Sequence, residues 1–239
     1  MGNCLFLRRG APSSSGPTPG KTLDEYTWEE ISYISSNGLA GEYGFQVGDE
    51  KNITLSTDEA LTLAIMDFGH DELADGTGYA GITFGLKNLM AESRAMNSSN
   101  TNSGGFTGSA MYTWLQGTLL NSLPADLRAV LKEVNKKTSA GSQSTTINTN
   151  SMKVFLFAEI EVFGSTTKSA AGEGSQYSYF ATAANRIKYL SNGAGSASGW
   201  WERSPDASSS NYFCAVYANG DASCSNAVFP WEVCFGFCV

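Results

Sequence analysis

The last twenty-nine residues, NYFCAVYANGDASCSNAVFPWEVCFGFCV from Asn211 to Val239, constrain this chain more than any other stretch. Apolar residues come there in short alternating or broken groups divided by turn formers such as Asn219-Gly220, so the segment has no helical period to follow. It must fold as short strands. Phe213, Cys214, Val216, Val233, Phe235, Phe237 and Cys238 have the spacing and apolarity of strands resting on a core. Between them stand Tyr212, Ala215, Tyr217, Asn219, Asp221, Cys224, Val228, Phe229, Trp231 and Glu232, a mixture of large rings with small and amide side chains. Tyr and Trp offer wide, stiff contact area for little rotamer entropy, and Ser, Asn and Gly add adaptable hydrogen bonds, which is the composition of an antibody paratope. These ten are the candidate ligand-binding residues. The alternative for Tyr217, Phe229 and Trp231 is that their rings complete the core.

Composition narrows the function classes. The 239 residues carry a net charge of −8, with 16% charged residues and 26 glycines, so the surface is polar mainly through hydroxyls and amides. Lys and Arg are scattered, the densest groups being Arg8-Arg9 and Lys136-Lys137. Binding to nucleic acid, which needs clustered cations, is not expected. No apolar run reaches the roughly 18 residues of a membrane span, so membrane insertion is not expected either. MGNCLF begins like a myristoylation signal, but Phe6 stands where that signal needs Ser or Thr, and CLFL is too short for the apolar core of an export signal.

Residues 10 to 20, GAPSSSGPTPG, read as a linker, which makes residues 1–22 a flexible tether and 23–239 the folded domain. Thr27-Trp28-Glu29-Glu30 has the capping-box pattern and predicts a helix of about three turns ending near Asn37-Gly38. NITLS at 52–56 and LTLAIMDF at 61–68 predict a hairpin. Met111, Trp114, Leu115, Leu119 and Leu123 share one helical face, and Pro124 opens a second helix carrying Leu127, Val130 and Leu131. MKVFLFAEIEVFG at 152–164 reads as buried strand and turn, and SYFATAANRIKYL at 178–190 has the spacing of a helix. The fold class is α+β, helices first and a β tail last.

Chemistry-bearing groups are few. Asp67, His70, Asp71, Glu72 and Asp75 crowd into DFGHDELADGTG, but their spacing fits neither an EF-hand nor a zinc helix, so a solvated acidic turn is expected and no metal or cofactor is assigned. His70, the one histidine, has no sequence-level partner for catalysis. GTGYAGITFG lacks the order of a phosphate or dinucleotide loop. Cys4 is isolated, while Cys214, Cys224, Cys234 and Cys238 follow at intervals of 10, 10 and 4, without the paired knuckles of a zinc site. Buried free thiols are expected, with a disulfide such as Cys214 to Cys238 the alternative. In WWERSP, residues 200–205, adjacent Trp side chains point to opposite sides of an extended chain, one to the core and one to a neighbouring surface, and Glu202 and Arg203 are expected to pair.

WWERSP, a Gly-turn strand pair and the terminal FGFCV, with MYTWLQGTLL and VFLFAEIEVFG upstream, resemble an uncharacterised phage and gut-bacterial domain family whose members end in a WW-x-RSP segment and a Cys-containing last strand. The resemblance covers roughly residues 22 to 239. That family in turn is similar to the C-type-lectin-fold variable proteins of diversity-generating retroelements, in which a reverse transcriptase rewrites adenines at the end of the gene. The resemblance implies a C-type-lectin-like fold, helices packed on small antiparallel sheets with a C-terminal ligand-binding face. It also implies a phage tail or fibre, or a bacterial surface, as location, a host surface protein or glycan as partner, and a homo-oligomer, with a trimer as the expected state. Tyr212, Ala215, Tyr217, Asn219, Asp221, Cys224, Val228, Phe229 and Pro230 are all reachable by replacing the two adenines of an Asn codon. Trp231 and Glu232 are not, so they need other template codons or belong to the fixed scaffold. The Glu-Pro-Asn, Gln-Pro-Asp and Trp-Asn-Asp motifs of calcium-dependent sugar binding are missing from the sequence. Two rival classes are an oxidase related to the formylglycine-generating enzymes, which share that fold, using Cys234 and Cys238, and a structural virion decoration protein.

Overall fold

The computed structural model describes residues 16–239. Cys4, the myristoylation-like start and most of the expected tether lie outside them. Residues 16–22 are not free: Tyr43 Oη donates to the Pro17 carbonyl at 2.7 Å and Tyr26 Oη to the Thr18 carbonyl at 3.1 Å. That part of the predicted tether rests on the domain.

Helix α1, Trp28–Ser36, forms where the capping box predicts it. Glu30 N donates to Thr27 Oγ1 at 3.2 Å, and Thr27 N donates back to the Glu30 carboxylate at 2.8 Å. Its apolar stripe, Trp28, Ile31 and Ile34, is buried, with the Trp28 ring edge-on to Phe84 at 5.3 Å and to Phe237 at 5.9 Å. These two rings belong to the main sheet. Its strands run β1 (Glu50–Thr54), β2 (Ala60–Phe68), β3 (Ile82–Leu86), β10 (Phe235–Cys238) and β6 (Val154–Leu156), five in that order, with every neighbouring pair antiparallel. The predicted hairpin is β1–β2, turned by Asp58 at a positive φ of 64°.

Strand β10 sits inside this sheet rather than at its edge, and two glycines make the fit. Gly236 pairs with Gly85; a Cβ on Gly85 would stand 2.5 Å from the Phe157 ring, and one on Gly236 2.8 Å from Phe155. Paired glycines therefore leave the room that two phenylalanines fill.

Helix α2 (Ala110–Trp114), a π turn (Leu115–Leu119) and α3 (Leu120–Ser122) form one continuous helical run, followed after Pro124 by α4 (Ala125–Val130). Met111, Leu115, Leu119, Leu123 and Leu127 are buried as their spacing predicts, while Trp114 is only partly covered. Strands β4 (Val134–Ser139) and β5 (Ile147–Met152) form a two-stranded ribbon, and β7 (Trp200–Pro205), β8 (Tyr212–Val216) and β9 (Ala222–Asn226) a three-stranded sheet. The class is α+β, with helices interleaved among strands rather than gathered ahead of them.

Two segments differ from expectation. The 152–164 run leaves β6 to form α5, Glu159–Phe163, because its carboxylates find partners: Glu159 accepts the amides of Thr167, Lys168 and Ser169, and Glu161 accepts the Ala158 amide. The 178–190 segment forms two separate 3₁₀ turns, 178–181 and 183–186, instead of one helix. Lys188 and Leu190 bridge to Ser198 and Leu89, and the buried Lys188 ammonium donates to the Leu86 carbonyl at 2.6 Å. Long-range pairing has drawn this stretch out of its helical period.

Candidate functional site

WWERSP organises the C-terminal half, though not as its sequence predicts. Trp200 and Trp201 do point to opposite sides of β7, but both are fully buried. Trp200 packs on Phe180, with Nε1 donating to the Arg186 carbonyl at 3.0 Å. Trp201 packs on Trp231 at 5.6 Å, with Nε1 donating to the Arg94 carbonyl at 2.8 Å. Glu202 and Arg203 do not pair. Arg203 reaches 42 residues back to Glu161, Nη2 donating to Oε1 at 2.8 Å and Nη1 to Oε2, and also donates to the carbonyls of Leu156, Lys137 and Glu173. Glu202 is buried with no partner at either oxygen. Burial first, then the nearby Glu159, pushes its carboxyl well above the usual range.

Register sorts the ten candidate residues. In β8–β9, Tyr212 opposes Asn226, Cys214 opposes Cys224, and Ala215 opposes Ser223. Directly opposed side chains share a face, so Tyr212 and Cys224 lie on one side of the sheet and Ala215 on the other. Ala215, paired with Trp201, is fully buried. It belongs to the scaffold and has no surface to offer a ligand. Asn219 and Asp221 form the tight turn, Asn219 Nδ2 donating to Asp221 Oδ2 at 2.7 Å, and Tyr217 stands 50% exposed beside it. Phe229 is 53% exposed in a turn closed by its amide on the Asn226 carbonyl. Val228, Trp231 and Glu232 are partly buried.

Three rings form a series from core to solvent: Trp201 is buried, Trp231 lies on it, and Tyr217 stacks on Trp231 at 5.8 Å. Trp231 is fixed by backbone pairing with Arg94, whose amide donates to the Trp231 carbonyl at 2.8 Å. Gly199 lies beneath the ring, and a Cβ there would be 2.5 Å from Trp231 Cζ3. The Arg94 guanidinium covers Trp114 at 4.3 Å, on the wall of a groove of about 400 Å³ that Glu59 and Glu92 also line. The site is thus an aromatic ledge beside a mixed-charge groove. Sequence reasoning missed Gly199 and Arg94, and the only local sign was a glycine directly before two tryptophans.

The acidic loop disperses. Asp67 accepts from Ser178, and Asp75 caps its own turn through Thr77. Asp71 is buried and accepts from Lys136 Nζ at 2.6 Å, Tyr177 Oη at 2.8 Å and Thr83 Oγ1 at 2.6 Å. Burial opposes its charge, but Lys136 and then His70 outweigh it and hold the carboxyl well below its ordinary value. His70 stacks on Tyr177 at 3.9 Å; burial pulls its pKa down, the adjacent Asp71 more than offsets that, and the net shift is upward. No three His, Cys, Asp or Glu side chains gather in a metal-holding group among the described residues.

The four described cysteines are thiols. Cys214 faces Cys224 across the strands, while Cys238 contacts Thr83 and Asp71, so the candidate link between Cys214 and Cys238 is excluded by position. Cys234, just ahead of β10, and Cys238, on it, are fully buried, and burial raises both thiols. No helix among the described residues is long and apolar enough to cross a membrane.

A mixed α+β domain with a paired-Trp strand at its centre is thus the class these features define. Residues 80–231 match the family described as a domain of unknown function, DUF6273, and the chain belongs to that family. No curated protein and no solved structure matches it.

Proposed function

We propose that this chain is a ligand-binding adhesion protein of C-type-lectin-like fold, displayed on a phage tail or fibre or on a bacterial surface, whose C-terminal face grips a host surface protein or glycan. The face consists of Tyr217, Asn219, Asp221, Val228, Phe229, Trp231 and Glu232; Tyr212 and Cys224 lie on the other side of the β8–β9 hairpin. Its physical support is the ring series: Tyr217 reaches solvent while resting on Trp231, and Trp231 rests on buried Trp201. A ring held this way has little rotamer freedom left to lose on binding, so its contact area converts to affinity efficiently. Several copies in a homo-oligomer, a trimer by the resemblance, would add avidity to weak single contacts. No catalytic step is required. An oxidase reading through Cys234 and Cys238 meets two buried thiols of raised pKa, a poor setting for nucleophiles.

The test has two parts. The gene's neighbourhood is read for a reverse transcriptase and a near-copy of the tail's coding sequence, and related genes are compared for substitutions confined to adenine positions. Binding of the full chain to arrayed bacterial surface glycans and envelope proteins is then compared with that of Tyr217→Ala/Phe229→Ala. Binding retained in the double variant would remove the assignment of this face.

A further inference from the structure

Tyr217 N donates to the Asp221 carbonyl at one end of the β8–β9 ladder, and Ala227 N to the Asn211 carbonyl at the other. These fix 217/221 and 211/227 as hydrogen-bonded pairs. Antiparallel pairs alternate, so counting inward from either end makes Cys214/Cys224 a non-hydrogen-bonded pair. At such a pair the Cα atoms stand about 4.5 Å apart, with side chains on one face, and a disulfide spans Cα separations of about 4.4–6.8 Å. Cys214 is fully buried and Cys224 is partly exposed.

From this register and the unequal exposure of the two thiols, we infer that Cys214 and Cys224 form a cross-strand disulfide when the protein meets a small-molecule disulfide oxidant. Cys224, the reachable thiol, attacks first. Its thiol gives its proton to solvent, its sulfur bonds to one sulfur of the oxidant R–S–S–R, and the first thiolate leaves. Cys214 then attacks the Cys224 sulfur of the mixed disulfide and expels the second. The protein gives up two electrons and two protons, and the oxidant departs as two thiols. Cys238 opposes Thr83, Cys234 lies against the Leu86 carbonyl, and both are fully buried, so they stay reduced. The link closes the hairpin that carries Tyr217, Asn219 and Asp221, and it forms whether or not that hairpin binds a ligand.

The full chain is incubated with oxidised glutathione, unfolded in the presence of N-ethylmaleimide, and cleaved before Asp and after Glu. Fragment 206–220 should be recovered joined to 221–232, while 233–239 carries two alkyl groups. Cys224→Ser, with its fold checked by circular dichroism, should leave 206–220 alkylated and unjoined, and Cys224→Ala serves if the serine disturbs folding. Separate alkylation of 206–220 and 221–232 in the wild-type chain, or a link involving 233–239, would overturn the inference.

Discussion

Tyr217 stacks on Trp231 with ring centroids 5.8 Å apart and planes 29° from parallel, and Trp231 in turn packs on Trp201. Only the outermost ring of the three is half exposed. The energetic roles should divide along the series. Tyr217→Ala with Phe229→Ala is expected to cost below about 1 kcal/mol, since both residues are half exposed, whereas buried Trp201→Ala should cost about 3–5 kcal/mol. Urea unfolding of the three proteins checks this, and a large loss in the double variant would place those rings in the core.

Gly199 is where the ledge is seated. A methyl group there meets Trp231 Cζ3 at 2.5 Å and the Val216 carbonyl at 2.9 Å, so Gly199→Ala should lift Trp231 from Trp201 at a cost of about 1–3 kcal/mol. A changed tryptophan emission maximum together with a lowered unfolding midpoint is the expected result.

The Arg203–Glu161 fork is buried, and Lys136 pairs with the same carboxylate at 2.6 Å. Removing one member strands charge in the interior, so Arg203→Met should cost about 3–5 kcal/mol. Adding Glu161→Leu should return part of that loss, read as a non-additive term in a double-mutant cycle.

Stability should respond to pH with two opposite signs. Glu202 holds its proton well above the usual carboxyl range because it is buried without a partner. The folded state therefore binds more protons than the unfolded one above about pH 4.3, and stability falls as pH rises through that window by up to about 1.4 kcal/mol per unit. For Asp71 and Glu161, burial raises the pKa, but Lys136 beside Asp71 and Arg203 beside Glu161 outweigh it and lower both net. Their contribution is present above about pH 4 and is lost as pH falls through their folded values. Glu202→Gln should thus gain on the wild type progressively as pH rises, in urea midpoints taken from about pH 4 to 8.

Much of the local structure was legible in the sequence. The Thr27–Glu30 box set the start of α1, Asn219-Gly220 marked the tip of β8–β9, and the apolar pattern of 61–68 gave β2, because capping bonds and turn geometry act between residues a few positions apart. The candidate face was legible in composition but not in membership. Ala215 looked like its neighbours until pairing with Trp201 buried it, and Tyr212 and Cys224 until register put them on the other side of the sheet.

By itself, then, the sequence determined the α+β class, the β1–β2 and β8–β9 hairpins and an aromatic-rich, charge-poor β tail. The tertiary structure alone decided that Arg203 answers Glu161 rather than Glu202, that β10 lies between β3 and β6, and that the 178–190 segment is drawn out along Leu89 and Ser198. The physical reason is range: hydrogen-bonding and dihedral preferences are written into neighbours along the chain. The partner of a buried charge or a central strand is chosen by whichever distant group satisfies it when the core closes.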